Sequence, residues 1–111
     1  MLSCNMSYTE SANGNIVLEL PRMLGSRAKA VTVVSALPDL LEDITIEVIA
    51  TDSVGVHHSF VDEFCTQILT YRKAERIIFV NVPPMMQENI EFYGIVRGYS
   101  ERISFKFRDA S

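Results

Sequence analysis

The stretch at residues 52–73, DSVGVHHSFVDEFCTQILTYRK, constrains the fold most, because it predicts an amphipathic helix with a clearly marked beginning. Its apolar side chains recur every three or four residues, which is the helical period. Ser59 is a candidate N-cap, and Asp62, three residues later, can complete a capping box. Asp62 and Glu63 in the first turn suit the helix dipole. The expected buried stripe consists of Phe60, Val61, Phe64, Cys65, Ile68 and Tyr71.

Four other segments predict strands. Residues 44–50 and 76–82 are near-continuous apolar runs, which is typical of strands covered on both faces. Residues 103–107 alternate apolar and polar side chains, and residues 16–20 do so imperfectly, which is the period of a strand with one covered face. The chain therefore has a strand before the central helix and another directly after it.

Two further helices are predicted between these strands. Ser26 is a candidate N-cap for a helix that ends before Pro38, although the β-branched run AVTVV at residues 30–34 also fits a strand. We favour the helix because residues 27–30 have high helix propensity and strand, helix, strand is a natural parallel unit. A third helix should run from residue 84 or 85 to residue 97, with proline in its first turn and Met86, Ile90, Tyr93 or Gly94, and Arg97 at helical steps. Gly94 and Gly98 are expected at helix ends. The sequence thus predicts an α/β fold with a mostly parallel sheet of about four strands and three helices.

Length and composition indicate one globular domain. The chain has 111 residues, of which 48% are hydrophobic and 22% charged, so it can bury a core and does not have the composition of a disordered chain. Residues 1–14 are polar and end at the turn signal Asn13-Gly14. We expect residues 1–14 to be a flexible N-terminal segment and residues 15–108 to form the α/β domain.

The charge balance excludes two classes of partner. Ten basic and fourteen acidic residues give a net charge of −4, and no basic cluster occurs, so we expect neither nucleic-acid nor membrane binding. No segment has the pattern of a secretory signal or a membrane-spanning helix, which predicts a cytoplasmic protein. The two cysteines, Cys4 and Cys65, are not expected to form a disulfide.

Side chains near the start of the central helix are candidates for metal binding. His57, His58 and Asp62 carry ordinary metal-ligand atoms, so a metal-binding or small-molecule sensor remains an alternative function. Adjacent histidines in an extended segment point to opposite sides, however, which argues against a shared metal ion. Ser59 lies outside any Gly-x-Ser-x-Gly elbow, and no glycine-rich phosphate loop occurs. The sequence predicts no enzyme and no cofactor. Four apolar residues, Met85, Met86, Phe92 and Tyr93, are candidates for a contact surface, although core packing and exposure at a helix end explain them equally well.

The segment SFVDEF at residues 59–64 also carries a family resemblance. Together with the preceding valine-bearing turn, the arginine-bearing helix at residues 26–36 and IFVNV at residues 78–82, it resembles the STAS-like domains, relatives of bacterial anti-sigma factor antagonists. The likeness covers residues 14–107 or so. It implies the same alternation of strands and helices that the sequence pattern predicts.

The resemblance implies a regulatory function without catalysis. In anti-sigma factor antagonists, a serine at the start of the equivalent helix is phosphorylated by a partner kinase, and the surrounding surface binds that kinase or a related ATPase. Ser59 matches this serine by position, although residues 57–60 read His-His-Ser-Phe where the family has Asp-Ser-Ser-Gly. The implied partner is a histidine-kinase-like ATPase or an anti-sigma-type kinase. The implied docking residues are His58, Ser59, Phe60, Asp62 and Glu63, of which Asp62 and Glu63 would form an acidic rim.

Overall fold

The structure, a computed structural model, describes residues 8–10 and 14–108. Its strands are β1 (Tyr8–Glu10), β2 (Ile16–Glu19), β3 (Met23–Leu24), β4 (Thr45–Ile49), β5 (Gly55–Val56), β6 (Arg76–Val80) and β7 (Ile103–Lys106). Its α-helices are α1 (Arg27–Val34), α2 (His58–Thr66) and α3 (Pro84–Arg97). A π-helical turn, Gln67–Tyr71, extends α2, and a 3-10 turn, Ser100–Arg102, precedes β7. No helix of the described residues has both the length and the apolar character needed to cross a membrane.

The main sheet has five strands in the order β1-β2-β4-β6-β7. The pairs from β2 to β7 are parallel, whereas β1 pairs antiparallel with β2 at the edge. Strands β3 and β5 form a separate two-stranded parallel sheet. The α/β class, the three helices and the largely parallel pairing are confirmed, but the sheet is mixed and has more strands than the four predicted.

All three helices pack on one face of the main sheet. In register across that sheet, Ile16, Ile46, Ile77 and Ile103 form one row, and Leu18, Val48, Phe79 and Phe105 form another. The buried residues of both rows belong to the same core cluster as the buried side chains of α1, α2 and α3. In the parallel part of the main sheet, each strand lies beside the strand of that sheet that follows it in the chain. Right-handed connections between such strands put every helix on the same side.

Helix α1 decides between the two predictions made for its segment. The Ser26 side chain accepts a hydrogen bond from the Lys29 backbone N–H at 3.0 Å, so Ser26 is the predicted N-cap. Val33 and Val34 are fully buried against the core, where packing outweighs the preference of β-branched residues for strands. The helix prediction is confirmed.

The π-helical turn corrects the predicted stripe of α2. The Arg72 backbone N–H bonds to the Gln67 carbonyl, a five-residue step that inserts one extra residue into the turn. Side chains after this turn rotate relative to the preceding helix, and Tyr71 is 61% exposed where burial was predicted. The other five members of the predicted stripe, at residues 60, 61, 64, 65 and 68, are buried.

Strand β1 lies inside the segment for which the sequence predicted no ordered element. Tyr8 pairs with Leu18 across the antiparallel edge and packs against the core. A three-residue polar strand has no apolar period, so periodicity could not detect it. The rest of residues 1–14, apart from Gly14, lies outside the described residues, including Cys4. Cys65 is a free thiol, and its burial raises its pKa to about 12.

The last helix and strand follow the sequence prediction closely. Helix α3 begins at Pro84, and Gly98 closes it in the left-handed conformation with φ +78°. Gly94, which the sequence placed at a helix end, is instead buried inside α3, where an added Cβ would lie 3.4 Å from Ser100 Oγ. Strand β7 ends at Lys106, and Phe107 is exposed beyond it.

Candidate functional site

The first turn of α2 is capped by His57, which corrects the prediction that Ser59 is the cap. His57 has extended backbone angles, and its Nδ1 atom accepts a hydrogen bond from the Ser59 backbone N–H at 3.1 Å. Nδ1 lies as many bonds from Cα as the side-chain oxygen of asparagine, so a histidine can take the place of this common capping residue. Ser59 is the second residue of the helix, with Oγ 2.7 Å from the same nitrogen.

Removal of the cap has a measurable expected cost. We expect His57→Ala to lower the free energy of unfolding by about 1 kcal/mol, because the Ser59 backbone N–H loses its acceptor. His57→Asn is the matched control, since its oxygen can accept the same bond. Urea unfolding followed by circular dichroism measures both. Equal destabilisation by the two substitutions would show that the histidine does not act as a cap.

Asp62 lies at the junction of the three helices and is only 2% exposed. Its two carboxylate oxygens each accept a bond from the Arg97 guanidinium at 2.9 Å, and Arg27 lies 3.0 Å away on the other side. Arg27 is the first residue of α1, and Arg97 is the last residue of α3. One carboxylate of α2 therefore ties both neighbouring helices to it.

The charges of this cluster stabilise one another. The hydrogen bonds from Arg97, and then those from Arg27, lower the pKa of Asp62 below its ordinary value against the opposing effect of burial. The bonds to Asp62 in turn raise the pKa of both arginines. Asp62 is thus held ionised. It does not belong to the acidic rim of a docking surface, which corrects that expectation.

Phe60 is also not at the surface. Its side chain is fully buried and stacks on Phe64, with ring centroids 5.3 Å apart. The prediction that Phe60 lies in the buried stripe of α2 is confirmed, and the docking role that the resemblance implies for its side chain is therefore wrong. Glu63 is partly exposed, accepts a bond from Gln67 at 2.7 Å and lies 3.5 Å from Arg27.

Among the described residues, no group of three histidine, cysteine or acidic side chains is arranged to hold a metal ion. His57 and His58 lie on the same side, with ring centroids 4.3 Å apart, and do not point to opposite sides as expected. Nδ1 of His57 is engaged by the helix, and the Asp62 carboxylate is engaged by two arginines. The residues proposed from the sequence therefore do not converge on a metal position.

His58 contacts α3 through Tyr93. Its Nδ1 atom lies 3.1 Å from the Tyr93 hydroxyl, and the two rings are stacked. Beside Tyr93, one side of α3 exposes three large apolar side chains, Met85, Phe92 and Val96, at helical spacing. We call the exposed area formed by His58, Ser59, Met85, Phe92, Tyr93 and Val96 the α2–α3 surface.

The sequence anticipated part of the α2–α3 surface. Of the four residues for which a contact surface and core packing were both open, Met85 and Phe92 are exposed and Tyr93 is partly exposed, whereas Met86 is buried in the core. Val96 had no signal in the sequence, because it follows the Tyr93 and Gly94 positions that read as core spacing. Only the packing of α3 against α2 shows which side of α3 remains uncovered.

An open cavity of about 580 Å³ adjoins this surface. It lies past the ends of β4 and β6, where open α/β sheets commonly bind ligands. Neither His57 nor His58 lines it. Its lining consists of Thr51, Ser53, Val54, Val56, Asn81, Pro83, Pro84, Met85 and Met86.

Comparison with known proteins places this geometry in no established group. No family model matches the chain, and no curated protein and no solved structure matches it either.

Proposed function

We propose that the chain is a non-enzymatic regulatory domain of the STAS-like kind, which acts in the cytoplasm by docking to a partner protein through the α2–α3 surface. The partner that the resemblance implies is a histidine-kinase-like ATPase or an anti-sigma-type kinase. The observation that carries the proposal is the row of exposed apolar side chains on α3 beside the start of α2.

These side chains have the chemistry of an interface. Met85 is 78% exposed, Phe92 58% and Val96 57%, although all three are apolar. Methionine and aromatic residues are enriched at the centres of protein interfaces, and clustered exposed apolar side chains mark such contacts. Tyr93 and His58 add polar groups at one side of the row. The surface suits a folded partner better than a small polar substrate.

Ser59 is positioned to act as a switch. Its side chain is partly exposed in the first turn of α2, where the positive end of the helix dipole favours a phosphate. Phe60, which stands where the family has glycine, turns into the core and leaves Ser59 uncovered. Phosphorylation would add about two negative charges at the side of the docking surface. Such charge would oppose docking by repulsion and desolvation.

The site residues then divide into two groups. His58 and Ser59 contact the partner, and the partly exposed Glu63 lies at the border of the surface. Phe60 packs in the core and Asp62 pairs with Arg27 and Arg97, so both hold α2 in place without facing the partner. The segment at residues 59–64 is therefore both a contact element and a structural anchor.

Paired affinity captures from a lysate of the native organism test the proposal. The baits are the wild-type chain, Ser59→Asp and Phe92→Glu, with Tyr71→Glu as the control, because Tyr71 is equally exposed but lies at the far end of the π-helical turn. We expect an ATPase-fold protein to bind the wild type and the control, with its yield reduced about tenfold or more on the other two baits.

Two results would contradict this proposal. Capture that survives Phe92→Glu would exclude the α2–α3 surface as the contact. If the ATPase is lost from the Phe92→Glu bait but still binds the Ser59→Asp bait, the chain is a docking domain without the serine switch. Mass spectrometry identifies the protein, and purified components then give the affinity of each variant directly.

A small-molecule or metal-binding sensor is the second candidate, and the open cavity at the carboxyl ends of β4 and β6 favours its small-molecule form. Its metal-binding form is tested by calorimetric titration of zinc and nickel into the wild type and the His57→Ala/His58→Ala double variant. Saturable binding that is lost in the double variant would favour the sensor. Docking through the α2–α3 surface predicts no such binding.

A further inference from the structure

Strand β7 presents an unpaired edge. It is the last strand of the main sheet in the described part of the chain, and its pairing with β6 uses one side only. In a parallel sheet, alternate backbone groups of an edge strand point away from the neighbouring strand and need another partner. The opposite edge is formed by β1, which is three residues long and more polar. The β7 edge is thus the better template for a further strand.

A groove runs along this edge between β7 and α3. It encloses about 430 Å³, with Ile90, Gly94, Ile103 and Phe105 on its apolar floor and walls. Ile95 stands at its border and is 75% exposed, and Phe107 beyond the end of β7 is 61% exposed. A strand that pairs with β7 would place alternate side chains over this groove, since side chains on one face of a strand recur every second residue.

The groove has acidic borders. Glu91 lines it from α3, and Glu101 is exposed in the turn before β7. The nearest basic side chain of that turn, Arg102, donates to the backbone carbonyls of Leu69, Ala74 and Glu75 and is not free to neutralise them. The electrostatic complement of this groove is a segment with basic residues beside its apolar ones.

A second copy of the chain meets only part of this requirement, because its β7 alternates apolar residues with Lys106 but brings its own Glu91 and Glu101 to the groove. Two β7 strands paired about a two-fold axis would bring the two α3 helices within about 10 Å, since each covers the space between β6 and β7 and strands lie about 4.8 Å apart. Each copy would then present its own Glu91 to the other in the shared groove. Like charges at close range disfavour this pairing.

We propose that the β7 edge and its groove bind an extended segment of another protein, in which apolar residues alternate along one face and lysine or arginine residues flank them. The segment adds a strand to β7 through backbone hydrogen bonds, which is a recurring mode of peptide recognition. Its apolar side chains contact Ile95 and Phe105, and its basic side chains reach Glu91 and Glu101. This site lies on the opposite side of α3 from Phe92 and Val96 and does not depend on the α2–α3 surface.

Selection of displayed random linear peptides against the full chain tests this inference. We expect the recovered peptides to alternate apolar and polar residues, to carry an excess of lysine and arginine, and to slow hydrogen exchange at the amides of Ile103–Lys106. We expect Ile95→Lys to weaken their binding about tenfold or more. Val96→Lys is the matched control, because Val96 is also exposed on α3 but faces away from the groove.

Charge exchange gives a second, independent readout. Glu91→Lys should weaken the binding of the basic peptides and strengthen the binding of versions in which their lysines are replaced by glutamate. The proposal is overturned if Ile95→Lys weakens the binding of none of the recovered peptides or if the bound peptides are helical. It is also overturned if the affinity does not depend on the charge at position 91. Peptides that lose binding on Phe92→Glu instead would report on the α2–α3 surface.

Discussion

Phe64→Ala is expected to lower the free energy of unfolding by about 4 kcal/mol, the largest single effect that the structure predicts. Phe64 is 1% exposed and lies between two other aromatic rings of the core. Its ring centroid is 5.3 Å from that of Phe60 on the same helix and 6.2 Å from that of Phe79 on β6. The row continues through Phe79 to Phe105, 6.0 Å further on. Truncation at this position removes the contact by which α2 packs on the sheet and leaves a cavity.

Urea unfolding monitored by circular dichroism measures this change. The control is Phe92→Ala, which removes the same ring from a largely exposed position and should change the free energy by less than about 1 kcal/mol. A Phe64→Ala protein that unfolds at the same urea concentration as the control would contradict the packing of α2 described above. Because Phe64 lies one turn after Phe60, the same loss would also displace the start of α2.

The second large effect is expected at Asp62. We expect Asp62→Asn to lower the free energy of unfolding by about 2 kcal/mol, because the amide cannot keep both guanidinium groups of Arg27 and Arg97 as charge-assisted partners. The two arginines are about half exposed, and water partly replaces the lost bonds, which places the cost below that of a fully buried ion pair. The neighbouring substitution Glu63→Gln serves as the control.

The same carboxylate makes stability depend on pH. The folded-state pKa of Asp62 is depressed, so its contribution is fully present above the unfolded-state pKa of about 4 and is lost as the pH falls through the lower folded-state value. Wild-type stability should therefore decrease on acidification over that range. In Asp62→Asn the decrease should be smaller, because the variant lacks the carboxylate whose protonation is coupled to unfolding. Urea midpoints measured from pH 6 downward test this, and an unchanged acid dependence in the variant would contradict it.

Both effects bear on the proposed switch. Phe64 and Asp62 hold α2 against the sheet and against the neighbouring helices, and Ser59 lies within about one turn of them. The Asp62 cluster also fixes α3 relative to α2, which sets the position of Tyr93 beside His58. The proposed docking surface is thus built on a rigid junction. Loss of docking in a Ser59 variant can then be read as a change of charge at the surface, provided that its unfolding midpoint is unchanged.

Periodicity in the sequence was sufficient for the elements that depend on local spacing. The three-to-four-residue repeat that includes Phe60, Phe64 and Ile68 identified α2. Helix α3 was identified by the proline at its start and the glycine after its last residue. The alternation at residues 103–107 identified β7. These patterns predict structure because each side chain's direction follows from its own backbone period.

Periodicity did not detect features that depend on partners outside their own segment. Strand β1 is ordered by pairing with β2, and β3 is ordered by pairing with β5, more than 30 residues later. The rotation of Tyr71 into solvent comes from the π-helical turn and not from its spacing. Short segments such as these carry too few residues for a period to be recognised.

By itself, the sequence determined that the chain forms an α/β domain with a well-marked central helix, because apolar spacing is a local property. Only the tertiary structure decided what the candidate site residues do. Asp62, expected at the surface, is buried because arginines from α1 and α3 converge on it. Phe60, to which the resemblance gave a docking role, is stacked on Phe64 in the core and is not available to a partner. The exposed row on α3 likewise lies where it does because α2 and the sheet cover the side of α3 that carries Met86, Ile90 and Gly94. Burial and ion pairing arise from elements that meet in space, and a local pattern does not contain that information.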